Sequence, residues 1–160
     1  MSTPAKNPIP EGMRSLTPHL ICKDALSAMT FYAQAFGAVE LARLIGAEGT
    51  LMHGLLKLGD SNLMLMEANP QWGALDPTLL KGSPVSIHFY VEDVDASYDR
   101  ALAAGATSVM APAEMFWGDR YGVVDDPFGH RWSLATHTRE MTQEEIEVGM
   151  KAASCGQMGT

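Results

Sequence analysis

The chain has 160 residues, of which 46% are apolar and 19% charged. That composition excludes wholesale disorder and suits one domain or two small modules sharing a core. A chain this long buries about 68–70% of its unfolded surface, so folding requires neither a disulfide nor a structural metal. Eleven basic residues against nineteen acidic ones leave a formal charge of −8. With no run of Lys or Arg, nucleic acid is not expected as a partner. No apolar run approaches the roughly 18–20 residues of a membrane span, so no membrane partner is expected either.

Residues 1–15 are rich in proline and read as an N-terminal arm. Met1–Gly12 has no apolar core of the signal-peptide kind. Leu16–Lys23 reads as a strand. Asp24 caps a helix over Ala25–Phe36, with Leu26, Met29, Ala33 and Phe36 at helical spacing. Gly37 supplies the stop. Val39–Ile45, Leu51–Leu58 and Asn62–Glu67 read as three further strands, separated by turns at 46–49 and at Gly59-Asp60. Residues 69–83 have no periodicity and read as a linker. The pattern then restarts. Val85–Val91 is a strand, Asp93 caps a helix over Val94–Ala104, and Gly105 stops it. Ala106–Met110, Ala113–Trp117, Tyr121–Asp125 and Arg131–Thr136 read as extended, with a loop at 118–120. Asp126-Pro127-Phe128-Gly129 reads as a turn that also uses His130. Thr142 and Glu145 form a capping box that opens a C-terminal helix to about Ala153.

The restart is a repeat of 69 residues. His19 stands five residues before Asp24, and His88 five before Asp93. The expected fold class is α+β. Tandem βαβββ modules, 16–68 and 84–137, would form curved mixed sheets around a cavity, with helices outside and an extra helix and tail over 138–160. Cys22 and Cys155 are far apart and read as free thiols in a reducing compartment, with a disulfide between them as the alternative. The expected location is cytoplasmic.

The duplicated unit resembles the vicinal oxygen chelate superfamily, which holds glyoxalase I, extradiol dioxygenases and bleomycin-binding proteins. The likeness rests on Phe31-Tyr32 with Phe36-Gly37-Ala38, on Val91-Glu92-Asp93-Val94-Asp95, and on Asp126-Pro127-Phe128-Gly129-His130. Residues 116–122 and 132–137 are similar to its PhnB-like branch. The resemblance implies a homodimer and a site on the first and last strand of each module. Its metal-ligand positions fall on Thr17, about Leu65, Ser86 and Ser133, and none of these is His or Glu. The expected function is therefore small-molecule binding in a cavity between sheets without the usual metal quartet.

A second set stands two residues along each strand, where period two keeps the same face. These residues are His19, Glu67 and His88. They are candidate ligands for a divalent metal (Zn, Fe, Ni or Mn) or candidate catalytic groups, Glu67 as a proton-moving base. The alternative function is accordingly a metal-dependent lyase, isomerase or dioxygenase with a shifted site. His53 shares a face with Leu51 and Leu55 and reads as a sheet histidine. Trp117, Arg120 and Tyr121 place a guanidinium among aromatics, suited to a planar anionic ligand. A tie from Arg120 to Asp119 or Asp125 is the other reading. Met52, Met64 and Met66 read as adaptable packing.

Overall fold

The computed structural model describes residues 3–156, and the side chain of Cys155 lies outside what it describes. The chain divides into two compact units at Lys81/Gly82. The first contains β1 (His19–Cys22), α1 (Ala25–Phe36), β2 (Val39–Ile45), β3 (Leu51–Leu58), β4 (Ser61–Glu67) and a one-turn helix α2 (Pro77–Leu80). The second contains β5 (Ser86–Tyr90), α3 (Val94–Ala104), β6 (Thr107–Glu114), β7 (Asp119–Asp125), β8 (Arg131–His137) and α4 (Gln143–Gly156). The expected α+β architecture of two βαβββ modules with a C-terminal helix is what the chain adopts.

The sheets have the same topology, β1-β4-β3-β2 and β5-β8-β7-β6, with the first and last strands of each module parallel and the rest antiparallel. Each helix follows its first strand and covers one face of its own sheet. In the first unit Leu20, Cys22, Leu56, Leu63 and Leu65 are buried with Ala25, Ala28, Met29 and Tyr32 of α1. In the second unit Val124, Trp132 and Leu134 are buried with Val94, Tyr98 and Ala101 of α3. Each large side chain removed from water contributes about 2 kcal/mol. Both helices end on a left-handed glycine, Gly37 (φ 69) and Gly105 (φ 118), whose N–H groups return to the last turn. At their starts the Asp24 and Asp93 carboxylates accept from Ser27 and Ala96 N–H. The Thr142–Glu145 capping box forms at the start of α4. Cys22 is fully buried.

Three departures from the sequence reading have local causes. The 69–83 stretch is not featureless: Asp76 accepts from Thr78 and Leu79 N–H and caps α2, with Pro77 in its first turn. Pro70–Trp72 forms a 3-10 turn that leaves Trp72 exposed. In place of two segments over 106–110 and 113–117 there is one bulged strand, β6, over Thr107–Glu114, and Phe116 and Trp117 lie in the turn that follows it. Pro112 is tolerated because β6 is a sheet edge. A side chain at the neighbouring Gly122 would press to 3.1 Å on the Pro112 ring. The expected loop at 118–120 shortens, since β7 already begins at Asp119. Among the described residues, no helix is long and apolar enough to cross a membrane.

Candidate functional site

Strand pairing fixes which residues look away from the helices, because cross-strand partners project to the same face. In the second unit β5 places Ser86, His88 and Tyr90 opposite Arg131, Ser133 and Ala135 of β8. From the other side, β7 brings Asp119, Tyr121, Val123 and Asp125 opposite His137, Ala135, Ser133 and Arg131. These residues form the open face. Between them in sequence, Trp132 and Leu134 are buried, and Arg120 reaches Asp95 on α3.

Four rings gather on this open face. His88 packs edge-on against Tyr90 with centroids 4.6 Å apart and lies near-parallel to Tyr121 at 6.0 Å. Trp117, in the turn before β7, meets Tyr121 edge-on at 5.6 Å. Below the rings are two buried polar anchors. Ser133 Oγ shares a 2.8 Å hydrogen bond with His88 Nδ1. Asp119 is 3% exposed and accepts from three directions. Tyr90 O–H donates to Oδ2 at 3.0 Å and Trp117 Nε1–H at 3.1 Å, while His137 Nδ1 lies 2.8 Å from Oδ1.

The electrostatics follow from those contacts. Burial pushes the Asp119 carboxyl up, but the hydrogen bonds from His137, Tyr90 and Trp117 outweigh it and hold the group below the usual carboxylate range. The hydrogen bond to Asp119 raises His137 above an ordinary histidine, helped by nearby Glu140. The same carboxylate raises the Tyr90 phenol. Arg131 closes a two-bond pair on Asp125. Both carboxylates of this face are therefore compensated, which leaves an aromatic, electrically balanced surface.

The expected site residues divide sharply. Ser86, His88, Trp117, Tyr121 and Ser133 belong to the open side of the second unit. Arg120 does not. It lies between Asp119 and Tyr121 on β7, so alternation sends it to the helix side. There it makes a two-bond pair with Asp95 at 2.6 and 2.8 Å. Neither the ligand-facing guanidinium nor the tie to Asp119 or Asp125 is formed. Asp126 is turn chemistry as expected: its carboxylate accepts from Phe128 and His130 N–H and from Trp132 Nε1–H. Tyr90, Asp119 and His137 are additions. Tyr90 is two residues beyond His88, so period two points to it. Asp119 and His137 require the β7–β8 register.

In the first unit Thr17 is half-buried and precedes β1. His19 pairs with Met64, so it lies on the open face, where it meets His53 edge-on at 6.0 Å. Burial, and then the neighbouring His53, lower the His19 pKa. Glu67 does not join it. Its register partner is Cys22, on the helix side. Its two carboxylate oxygens each accept a backbone N–H at the start of α1, from Asp24 and Ala25, both at 2.8 Å. Leu65 also faces the helix and is fully buried. The 69-residue repeat makes it the counterpart of Leu134, and Met64 the counterpart of Ser133. His53 shares its face with Leu55 but not Leu51. The step from His53 to Leu51 opposite Leu44 and Ile45 is a bulge that turns Leu51 into the core.

A family model described as the Glyoxalase/Bleomycin resistance protein/Dioxygenase superfamily matches residues 15–134. The chain belongs to this superfamily. It is 48% identical over 145 residues to an uncharacterised protein of Mycobacterium tuberculosis, covering 89% of this chain and 85% of the relative. An Arabidopsis thaliana protein is 31% identical over 129 residues, or 76% of each chain. The crystal structure of that Arabidopsis gene product superposes with TM-score 0.63 and 27% identity, over 77% of this chain and 98% of that one. The structure of TioX from Micromonospora sp. ML1 superposes with TM-score 0.62 and 27% identity, over 78% and 98%. A PhnB protein of Bacillus cereus shares the fold at 19% identity and TM-score 0.60, over 77% of this chain and 99% of that one.

Members of the superfamily often bind a divalent metal, and the residues present here do not fit one. The positions taken from the resemblance carry Thr17, Leu65, Ser86 and Ser133, without an imidazole or carboxylate. In the shifted set both oxygens of Glu67 are engaged by backbone N–H groups. Among the described residues, no group of three His, Cys, Asp or Glu is placed to hold a metal ion.

Proposed function

We propose that this superfamily member binds a small, planar, uncharged organic molecule on the open face of its second unit, without the metal quartet. The observation that carries the reading is the wall of His88, Tyr90, Trp117 and Tyr121 over buried Asp119 and Ser133. Rings offer broad apolar contact and stack on flat ligands with about 0.5–1.5 kcal/mol beyond simple burial. A few fixed polar groups then orient the guest. The Ser133 bond to Nδ1 leaves His88 Nε2 as a free hydrogen-bonding atom. Compensation of Asp119 by His137 and of Asp125 by Arg131 disfavours a strongly charged ligand.

The direct experiment is calorimetry with benzoylacetone, a neutral planar aromatic diketone, beside anionic anilinonaphthalene sulfonate and cationic proflavine. Benzoylacetone is expected to bind best. Tyr121→Ala and His88→Ala are expected to weaken it about tenfold while the melting temperature stays near that of the parent. Equal binding in both variants would overturn the assignment. Stoichiometric metal in the purified protein would favour the metal-enzyme alternative instead. We also propose a homodimer. Val39, Leu41, Leu44 and Ile45 are exposed on edge strand β2 and leave apolar surface to cover. Light scattering is expected to give about twice the 17.3 kDa chain mass, and a monomer at micromolar concentration would refute it.

A further inference from the structure

His137 lies on the open face of the second unit, opposite Asp119 in the β7–β8 register. Its Nδ1 lies 2.8 Å from Asp119 Oδ1, and the Asp119 side chain is only 5% exposed. The other oxygen of Asp119 is held by Tyr90 and Trp117, so the carboxylate cannot swing away. The imidazole itself is about half exposed, at 48%. A fixed carboxylate behind one ring nitrogen keeps the proton on Nδ1, puts the lone pair on Nε2, and stabilises the imidazolium once Nε2 accepts a proton. Along the strand, His137 stands one face position beyond Ala135, the partner of Tyr121. That step is about 7 Å, within the length of a two-ring or aryl-diketone molecule.

We propose that His137 is a proton-transfer base for the molecule seated on this aromatic wall, with Asp119 as its positioning residue. The substrate class is then a planar conjugated compound with an acidic C–H beside a carbonyl. This rests on the binding reading above. In the step, the C–H proton moves to Nε2, and the C–H electron pair becomes the carbon–carbon double bond of an enolate. The carbonyl π pair moves onto oxygen. The imidazolium then returns the proton to that oxygen. The net change is a keto–enol isomerisation that consumes no oxidant, reductant or water.

The groups that face His137 are Asp119 from β7, Glu140 from the segment after β8, with Oε1 3.5 Å from Nε2, and the Tyr90 and Trp117 donors on the shared carboxylate. Both acids favour the imidazolium, in line with the raised His137 pKa. The free base therefore becomes available only above the ordinary histidine range, and the rate should rise with pH through an inflection placed there.

The test is the enol-to-keto relaxation of benzoylacetone, followed by ultraviolet absorbance, with binding measured by calorimetry on the same samples. The full chain is expected to speed relaxation in proportion to its concentration. His137→Gln is expected to lose the acceleration by about a hundredfold, the low end of general base catalysis, while binding stays within about threefold. Asp119→Asn should lose it too. Should that variant unfold, His137→Gln decides alone, since its side chain is half exposed. Glu140→Gln should move the inflection to lower pH. Binding with no acceleration, or full acceleration in His137→Gln, overturns the proton-transfer role and leaves the binding reading standing. Failure of benzoylacetone to bind overturns both.

Discussion

The two units are the same scaffold carrying different chemistry. Their sheets share strand order, with β1 and β4 matching β5 and β8 at a spacing of 69 residues and β3 matching β7 at 68. His19 and His88 stand at matching places, as do His53 and Tyr121, and in both units the ring pair is 6.0 Å apart. The difference lies under the rings. The first unit supports its pair with Met64 and neighbouring apolar groups, whereas the second supplies Ser133 and the Asp119 network. Glu67 and Thr136 match in the same way. Each reaches from the last strand to the first N–H of the helix, Glu67 to Ala25 and Thr136 to Val94. A strand-to-helix staple is thus part of the scaffold, and its residue type is free to vary. The lesson is that a carboxylate on a family-like strand can belong to the frame instead of the site.

Asp126→Ala should break the second unit hardest, because it strands two backbone N–H groups and the buried Trp132 indole. A loss of about 3 kcal/mol in chemical denaturation is expected. The first unit has no counterpart, since Gly59-Asp60 makes its turn in two residues. Next come the staples. Glu67→Ala removes two charge-assisted bonds and should cost about 2 kcal/mol, and Thr136→Val, which removes neutral bonds, about 1 kcal/mol. Probe binding should survive Glu67→Ala. Loss of binding there would return Glu67 to the site.

The pH dependence of unfolding sharpens the comparison further. The lowered Asp119 contributes stability that is present above the ordinary value of 3.8 and is lost as pH falls through its folded value. The raised His137 contributes stability present below 6.5 and lost as pH rises through its folded value. Between the two, Asp119→Asn should show its largest deficit in melting temperature. A deficit that does not vary with pH would show that the pair is not ionised. Smallest of all, Arg120→Ala should cost under about 1 kcal/mol, as exposed ion pairs do, and should leave benzoylacetone binding unchanged.

Much of this was legible from residues alone. The repeat, the aspartate starts, the glycine stops and the Asp126 turn depend on short-range chemistry, and period two along β5 brought His88 and Ser86 to one face. What failed needed partners distant in sequence. Alternation along β7 opposes Arg120 to Tyr121, but a strand start misplaced after Asp119 hid it. A slip of one residue put Leu65 where Met64 belongs, which reverses the face. The bulge beside Met52 has no local signature. The Asp119–His137 contact joins two strands across 18 residues, and only their register reveals it.

Trp117 donates its indole N–H to Asp119 and touches Tyr121, and that gives the site its own optical reporter. The other two tryptophans sit in opposite surroundings, Trp132 at 1% exposure and Trp72 at 65%. Iodide should therefore quench Trp72 first and Trp132 hardly at all. A guest stacked on the wall should change the emission of the intermediate component alone. Replacing Trp72 with Phe would leave a chain whose fluorescence reads the core and the wall as two separable signals, without any attached dye.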